Sequence, residues 1–171
     1  DYANLEIIIV DDCSTDHTSE LVRLYIQKDT RIKYYKHDKN LGNAVARNTA
    51  WENSYGKFIA FLDDDDEWID NKKLIKQVNI FTSDKDKRIG IVCSNVVIKD
   101  KNGLRYIDIT KKKNSLAHIA KGNGVIFSPT VMTRRSCLEM TNGFDEKLHR
   151  GIDSDYYRYL ICILGFDFKI I

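Results

Sequence analysis

The chain reads as an α/β domain with a mainly parallel sheet flanked by helices, and three observations predict this. Short apolar runs rich in β-branched residues alternate with amphipathic stretches of helical period. Two of these runs stop at aspartates, Asp11-Asp12 and Asp63-Asp64-Asp65-Asp66. Open α/β sheets bind ligands at the carboxyl ends of their strands, so both acidic clusters stand where a ligand site is expected.

Residues 5–10 (LEIIIV) form a continuous apolar run and predict a buried strand. Ser14, Thr15 or Asp16 then caps a helix over 18–27, with Leu21, Leu24 and Tyr25 on one face. Residues 32–36 predict a short strand, Asn40-Leu41-Gly42 a turn, and 43–54 a helix carrying Ala44, Ala46 and Ala50. A second buried strand over 57–62 ends abruptly at Asp63. The stretch 71–82 is an amphipathic helix presenting Leu74, Ile75, Val78 and Phe81. One further strand is expected over 90–98, followed by a hairpin turn at 100–103. Residues 111–124 are polar and poorly patterned. A strand over 125–133 is interrupted by Pro129, which marks an edge or an irregular loop. A short helix follows over 135–141, then the turn Asn142-Gly143-Phe144-Asp145. The last elements are a helix over 153–164, with Tyr156, Tyr159, Leu160 and Ile163 on one side, and a strand over 168–171.

A chain of 171 residues fits one domain with a core of ordinary size. With 43% hydrophobic and 30% charged residues it belongs with globular rather than disordered chains. A net charge of +2 gives no argument for a nucleic-acid partner. Lys111-Lys112-Lys113 is the one dense basic run and reads as a solvated loop. Cys13, Cys93, Cys137 and Cys162 are far apart and form no CxxC pair, so neither a disulfide framework nor a zinc site is expected. They read as reduced thiols, which points to a cytoplasmic protein. No apolar run reaches the ~18 residues that span a bilayer, and no signal peptide is expected. The chain begins with Asp1 and reaches a strand within a few residues, so it reads as part of a longer protein.

Four adjacent carboxylates at a strand end repel one another unless a cation sits among them. Hard oxygen ligands suit Mg²⁺ or Mn²⁺ rather than zinc. Such ions take one or two protein carboxylates and complete their shell with water and phosphate oxygens. The 63–66 cluster therefore reads as a site for a phosphate-bearing ligand bridged by metal, against the plainer reading of a solvated turn that caps the next helix. For Asp11 and Asp12 the residues leave two readings open: capping the helix that follows, or accepting a hydrogen bond from a base N–H.

Four motifs in order resemble the family 2 glycosyltransferases, inverting enzymes of the GT-A fold. The stretch from Glu6 through Val10 into Asp11-Asp12-Cys13-Ser14-Thr15-Asp16 is similar to the family's strand and DDxSxD. Asn40-Leu41-Gly42 with Ala46-Arg47-Asn48 resembles NxGxxxARN. Phe61-Leu62-Asp63-Asp64-Asp65-Asp66-Glu67-Trp68 resembles FLDxDDxW, which contains the metal-binding DxD. Asn142-Gly143-Phe144-Asp145-Glu146 with Asp153-Ser154-Asp155 resembles GxFDE…EDxD. Together they cover nearly the whole chain.

The resemblance implies a role for each site residue. Asp12, with Asp11 beside it, would contact the nucleotide base; Asp63 and Asp64 would lie against ribose and diphosphate; Asp65 would ligate Mn²⁺ or Mg²⁺. Arg47 would help to hold the donor, and Asp153 would deprotonate the acceptor hydroxyl. It also implies a nucleotide-sugar donor, UDP-linked by family habit, and a carbohydrate or lipid-linked acceptor used in cell-surface polysaccharide or glycolipid synthesis. Peripheral association with the inner face of the membrane fits this setting, whereas oligomeric state is left open. The family begins with a strand and helix that precede the first residues here, so residues 1–171 are expected to form a single catalytic domain that is partial at its N-terminus and lacks that first strand and helix. The acidic residue usual before the base is Ile152 here. Two other readings compete. One is a receiver-like phosphoacceptor domain, against which Trp68 and the extra carboxylates argue; the other is an inactive nucleotide-sugar-binding module.

Overall fold

A computed structural model describes residues 2–111, 116–120 and 126–171 of the chain. The expected unpatterned stretch 111–124, Lys112 and Lys113 of the basic run, and the start of the strand expected at 125 fall largely outside these residues.

The first unit is β1 (Ile7–Asp11), α1 (Thr18–Ile26) and β2 (Ile32–Lys36), with β1 and β2 paired in parallel. Then come α2 (Asn43–Glu52), β3 (Phe58–Ala60), α3 (Lys73–Ser83) and β4 (Ile89–Cys93). A hairpin of β5 (Val96–Asp100) and β6 (Gly103–Ile107) follows, then α4 (Leu116–Ala120). The last part holds β7 (Met132–Arg134), α5 (Arg135–Thr141), α6 (Ile152–Arg158) and β8 (Asp167–Ile170).

The central sheet has the order β3-β7-β4-β8. β7 is antiparallel to both β3 and β4, and β4 is parallel to β8. Three of the four strands therefore point the same way, with β7 inverted between two of them. The direction expected from the sequence holds for β3, β4 and β8, and β7 makes the sheet a mixed one. Side chains alternate between the faces. Ile59, Ile91 and Cys93 join a core with Trp51 of α2, Leu138 of α5 and Tyr156 of α6, and with Phe144 and Leu160 from the turns beside them. Phe58, Val92 and Met132 face α3 and meet Val78 and Phe81, with the Phe58 and Phe81 rings stacked at 4.8 Å. The result is a sheet covered by helices on both faces, as an α/β domain requires.

Four details differ from the sequence expectation. The stripe Leu21, Leu24, Tyr25 of α1 is turned to solvent, each more than half exposed; α1 meets β2 through the Ser19 bonds to Tyr34 and Lys36 and buries Val22 instead. The single strand expected over 90–98 breaks at Ser94-Asn95 into β4 and β5. There the Asn95 side chain accepts the Ile109 N–H at 2.8 Å and draws the chain out of the sheet. Among the described residues 126–133 only Met132 and Thr133 enter a strand, since Pro129 sits in a 3₁₀ turn over Ser128–Thr130. The helix expected to run to 164 changes to a π-turn over Tyr159–Ile163, closed by the Leu164 N–H on the Tyr159 carbonyl. Its buried side is Ile152, Tyr156, Tyr157, Leu160 and Ile161; Tyr159 and Ile163 lie outside.

Candidate active site

Asp11 ends β1 and is only 4% exposed. It accepts the Ser14 N–H at 2.6 Å, the Ser19 hydroxyl at 3.3 Å and the Tyr34 hydroxyl, with the Lys36 ammonium 3.4 Å away. Burial alone would raise this carboxyl, but the bonds from Tyr34 and Ser14 and the Lys36 charge outweigh it and hold the group far below the usual carboxylate range. Asp12 accepts the Leu41 N–H at 2.9 Å and the Gly42 N–H at 2.7 Å, and bonds His37 Nδ1 at 2.7 Å. His37 Nε2 in turn reaches Thr49 on α2 at 3.0 Å. Against the cost of burial, these partners lower the Asp12 pKa as well. The second motif is thus held onto the first: Asp12 grips the Asn40-Leu41-Gly42 turn that launches α2, where Gly42 has φ +92.

The 63–66 cluster follows β3 by two residues and lies at the carboxyl edge of the sheet. Asp64, Asp65 and Asp66 are exposed, and the Asp66 N–H closes a turn on the Asp63 carbonyl. Partial burial first, then the charges of Asp65 and Asp63, hold the Asp66 carboxyl above the usual range. Asp70, not Asp66, receives the Lys72 N–H at the start of α3. Trp68 folds the loop back, donating from Nε1 to the Pro129 carbonyl at 2.7 Å. The ammonium of Lys73 lies 4.3 Å from the Trp68 ring centroid, and burial pushes its pKa down to about 8. Trp68 thus packs the turn onto α3.

Arg47 joins the cluster to the last motif. It is 6% exposed on α2. Its Nη2 donates to both Asp63 oxygens, at 2.8 and 2.9 Å, while Nη1 is paired with Asp153 Oδ1. The Arg47 Nε is buried and has no hydrogen-bond partner among the described residues. Asp153 lies in the first turn of α6, with its side chain 28% exposed. The Ser128 hydroxyl stands 3.4 Å from Asp153 Oδ1 and also bonds the buried Tyr157 phenol. Ser128 was not expected from the sequence; the one signal was its place beside the lone Pro129. Asp155 points elsewhere, into a surface cleft of about 580 Å³ between the Asn142-Gly143 turn and α6 whose lining holds none of the other site residues.

Asn48 explains how α6 is brought to Arg47. Its Nδ2 donates to the Phe144 carbonyl and to Glu146, and its Oδ1 accepts from Phe144 N–H and Trp51 Nε1, all within 3.1 Å. Gly143 sits against it at φ +76, where a Cβ would stand 2.3 Å from Asn48 Oδ1. Only glycine fits both the angle and the space. The second and fourth motifs therefore interlock through Asn48 and Gly143.

No three His, Cys, Asp or Glu side chains converge as a ready metal cage among the described residues. The exposed carboxylate of Asp65, inside a crowd of like charges, fits an ion that takes one protein oxygen and fills its shell with phosphate and water.

The family model described as glycosyl transferase family 2 matches residues 1–140. An uncharacterized glycosyltransferase of Haemophilus influenzae is 32% identical over 163 residues, covering 95% of this chain and 61% of that protein. The UDP-Glc:alpha-D-GlcNAc-diphosphoundecaprenol beta-1,3-glucosyltransferase WfgD of Escherichia coli is 32% identical over 159 residues, covering 93% of this chain and 58% of that protein. In fold, the mannosyltransferase PcManGT of Pyrobaculum calidifontis, solved with GDP-Man and Mn²⁺, superposes with a TM-score of 0.74 at 22% identity, covering 98% of this chain and 45% of that one. The chain thus spans about three fifths of the length of these two curated relatives. With the third and fourth motifs meeting at the Arg47 guanidinium of the second, the first holding the turn that launches its helix, and the family model matching most of its length, the chain belongs to glycosyl transferase family 2 and has the GT-A fold.

Proposed function

We propose that the protein of which these residues form the catalytic domain transfers a sugar, with inversion, from a UDP-sugar to a hydroxyl of a carbohydrate or lipid-linked acceptor in cell-surface polysaccharide or glycolipid synthesis. One observation carries this reading: the buried Arg47 side chain binds Asp63 at the end of β3 and Asp153 at the start of α6, so residues ninety positions apart share one guanidinium. UDP-Glc and alpha-D-GlcNAc-diphosphoundecaprenol are the substrates in the name of the 32% identical E. coli relative.

Asp65 would hold Mn²⁺ or Mg²⁺, which when bound offsets charge on the departing diphosphate. Asp63 and Asp64 face the ribose and diphosphate, and Asp11 and Asp12 shape the wall that receives the base. Arg47 serves the donor through Asp63 and holds Asp153 as an oriented carboxylate. Its contacts from Arg47 and Ser128 both fall on Oδ1, so we assign Oδ2 to the proton. The acceptor oxygen attacks the anomeric carbon as its proton passes to Asp153; the bond to the phosphate oxygen breaks and nucleoside diphosphate leaves. Asp153 and the cluster lie on different elements, as attack opposite the leaving group requires.

The test is calorimetric titration with UDP, with and without Mn²⁺, alongside transfer assays on the full-length protein. Asp65→Ala should abolish the Mn²⁺-dependent part of binding. Asp153→Asn should leave UDP affinity intact and lower kcat by at least about 10³-fold. UDP affinity indifferent to chelator, or full activity in Asp153→Asn, would overturn the assignment.

A further inference from the structure

The β5–β6 hairpin belongs to no part of the chemistry above, yet it leaves the sheet at the chemical edge. β3 and β4 point the same way, so the chain emerging from Cys93 and the chain emerging toward Asp63 exit on one side. The hairpin's root is fixed. Asn95 bonds the Ile109 N–H and the Tyr106 hydroxyl, Ile109 is fully buried, and Ile107 packs on the core. Its tip is a tight turn in which Asp100 pairs with Gly103, and the Asp100 carboxylate receives the Asn102 N–H.

Beyond the root the side chains face water. Cross-strand pairs Val97–Tyr106 and Lys99–Leu104 place these four residues on one face. Leu104 is 75% exposed and Tyr106 62%. Lys99 on that face, Lys101 at the turn and Arg105 on the opposite face beside Ile98 are all exposed, so cations flank the hairpin on both sides, against the single carboxylate of Asp100 within it. An apolar side chain and an aromatic ring within a cationic rim match the boundary of an anionic bilayer. The ring and Leu settle at headgroup depth while the ammonium and guanidinium groups meet lipid phosphates. A protein partner would need its own patch of carboxylates; a lipid surface supplies negative charge everywhere.

We propose that the β5–β6 hairpin is a membrane-contacting prong that seats the site-bearing edge of the sheet on an anionic lipid surface. The surface itself stands on exposure and charge; its purpose, delivery of a lipid-linked acceptor to Asp153, rests on the transferase reading.

The experiment is flotation with phosphatidylcholine vesicles, with and without phosphatidylglycerol, run beside UDP titration. The protein should float with the anionic vesicles alone and come off as salt rises from about 0.1 to about 0.5 M. Reversing the rim (Lys99→Glu, Lys101→Glu, Arg105→Glu) should weaken vesicle binding at least about tenfold, and so should Leu104→Ser with Tyr106→Ser, with UDP affinity unchanged in both. Equal binding to neutral vesicles, no flotation, or variants that float like the parent would overturn the proposal. Loss of UDP binding with flotation intact would strike the transferase reading and leave the prong standing.

Discussion

Asp11-Asp12 and the 63–66 cluster are written alike, as aspartates closing an apolar strand, and they fold into opposite electrostatic circumstances. The first pair is internal. Its oxygens take N–H and O–H groups from Ser14, Ser19, Tyr34, Leu41 and Gly42, and both pKa values fall. The second is open. Asp64 and Asp65 face water, and the Asp66 carboxyl is raised by partial burial and its neighbours' charges. The first commits its charge to the fold, and the second leaves its charge in water, open to a ligand. Asp63 stands between the two regimes, since Arg47 holds it.

The sharpest way to break this contrast is to remove the guanidinium. Arg47→Met strands two carboxylates, Asp63 at 36% and Asp153 at 28% side-chain exposure. Breaking a buried pair costs 3–5 kcal/mol; with these exposures, urea unfolding should show a loss of about 2–4 kcal/mol and activity should disappear. Arg47→Lys should not rescue it, because an ammonium cannot span both carboxylates in a planar fork.

A smaller effect separates the clusters directly. Asp12→Asn removes a charged acceptor from two backbone N–H groups and from His37, so thermal or urea unfolding should lose about 1–3 kcal/mol. Asp64→Asn should move stability by no more than about 0.5 kcal/mol while weakening donor binding. Equal costs for the two substitutions would erase the distinction.

The smallest effect is in the pH dependence, and its sign differs between the clusters. Asp11 and Asp12 have folded pKa values below the unfolded value near ~3.9, so their stabilisation is present above that value and is lost as pH falls through the folded values. Asp66 is raised, so it binds its proton more tightly when folded, and falling pH adds stability. Unfolding at a series of pH values should show Asp12→Asn with a flatter acid limb. Asp66→Asn should be slightly more stable than the parent at pH 7, by no more than about 0.5 kcal/mol given its exposure.

Much of this was legible in the sequence. Arg135–Thr141 and Ile32–Lys36 form where period and composition place them, and both acidic clusters sit at strand ends. Pairings between distant segments were not legible. Periodicity put Leu21, Leu24 and Tyr25 on one face of α1 without saying what covers that face, and the side chain α1 buries is Val22. The break at Asn95 depends on a bond to Ile109, fourteen residues on, which no local pattern encodes. Ser128 matters through what it touches in the fold, and its identity alone carries no chemical signal; Asn48 stands in a motif, but its bonds to the 144–146 turn could not be read there.

The inverted strand β7 has a consequence for how this chain is made. β3 and β4 are neighbours in the finished sheet only through β7, which follows both in the sequence. During synthesis the acidic edge leaves the ribosome with its strands unzipped, and they stay so until Met132–Arg134 arrives to pair with both at once. Such late, long-range closure is slow and leaves strand edges bare in the meantime. Newly made chains should therefore depend on chaperones in the interval before β7 emerges, and substitutions in β7 should lower yield in cells out of proportion to their effect on the finished fold.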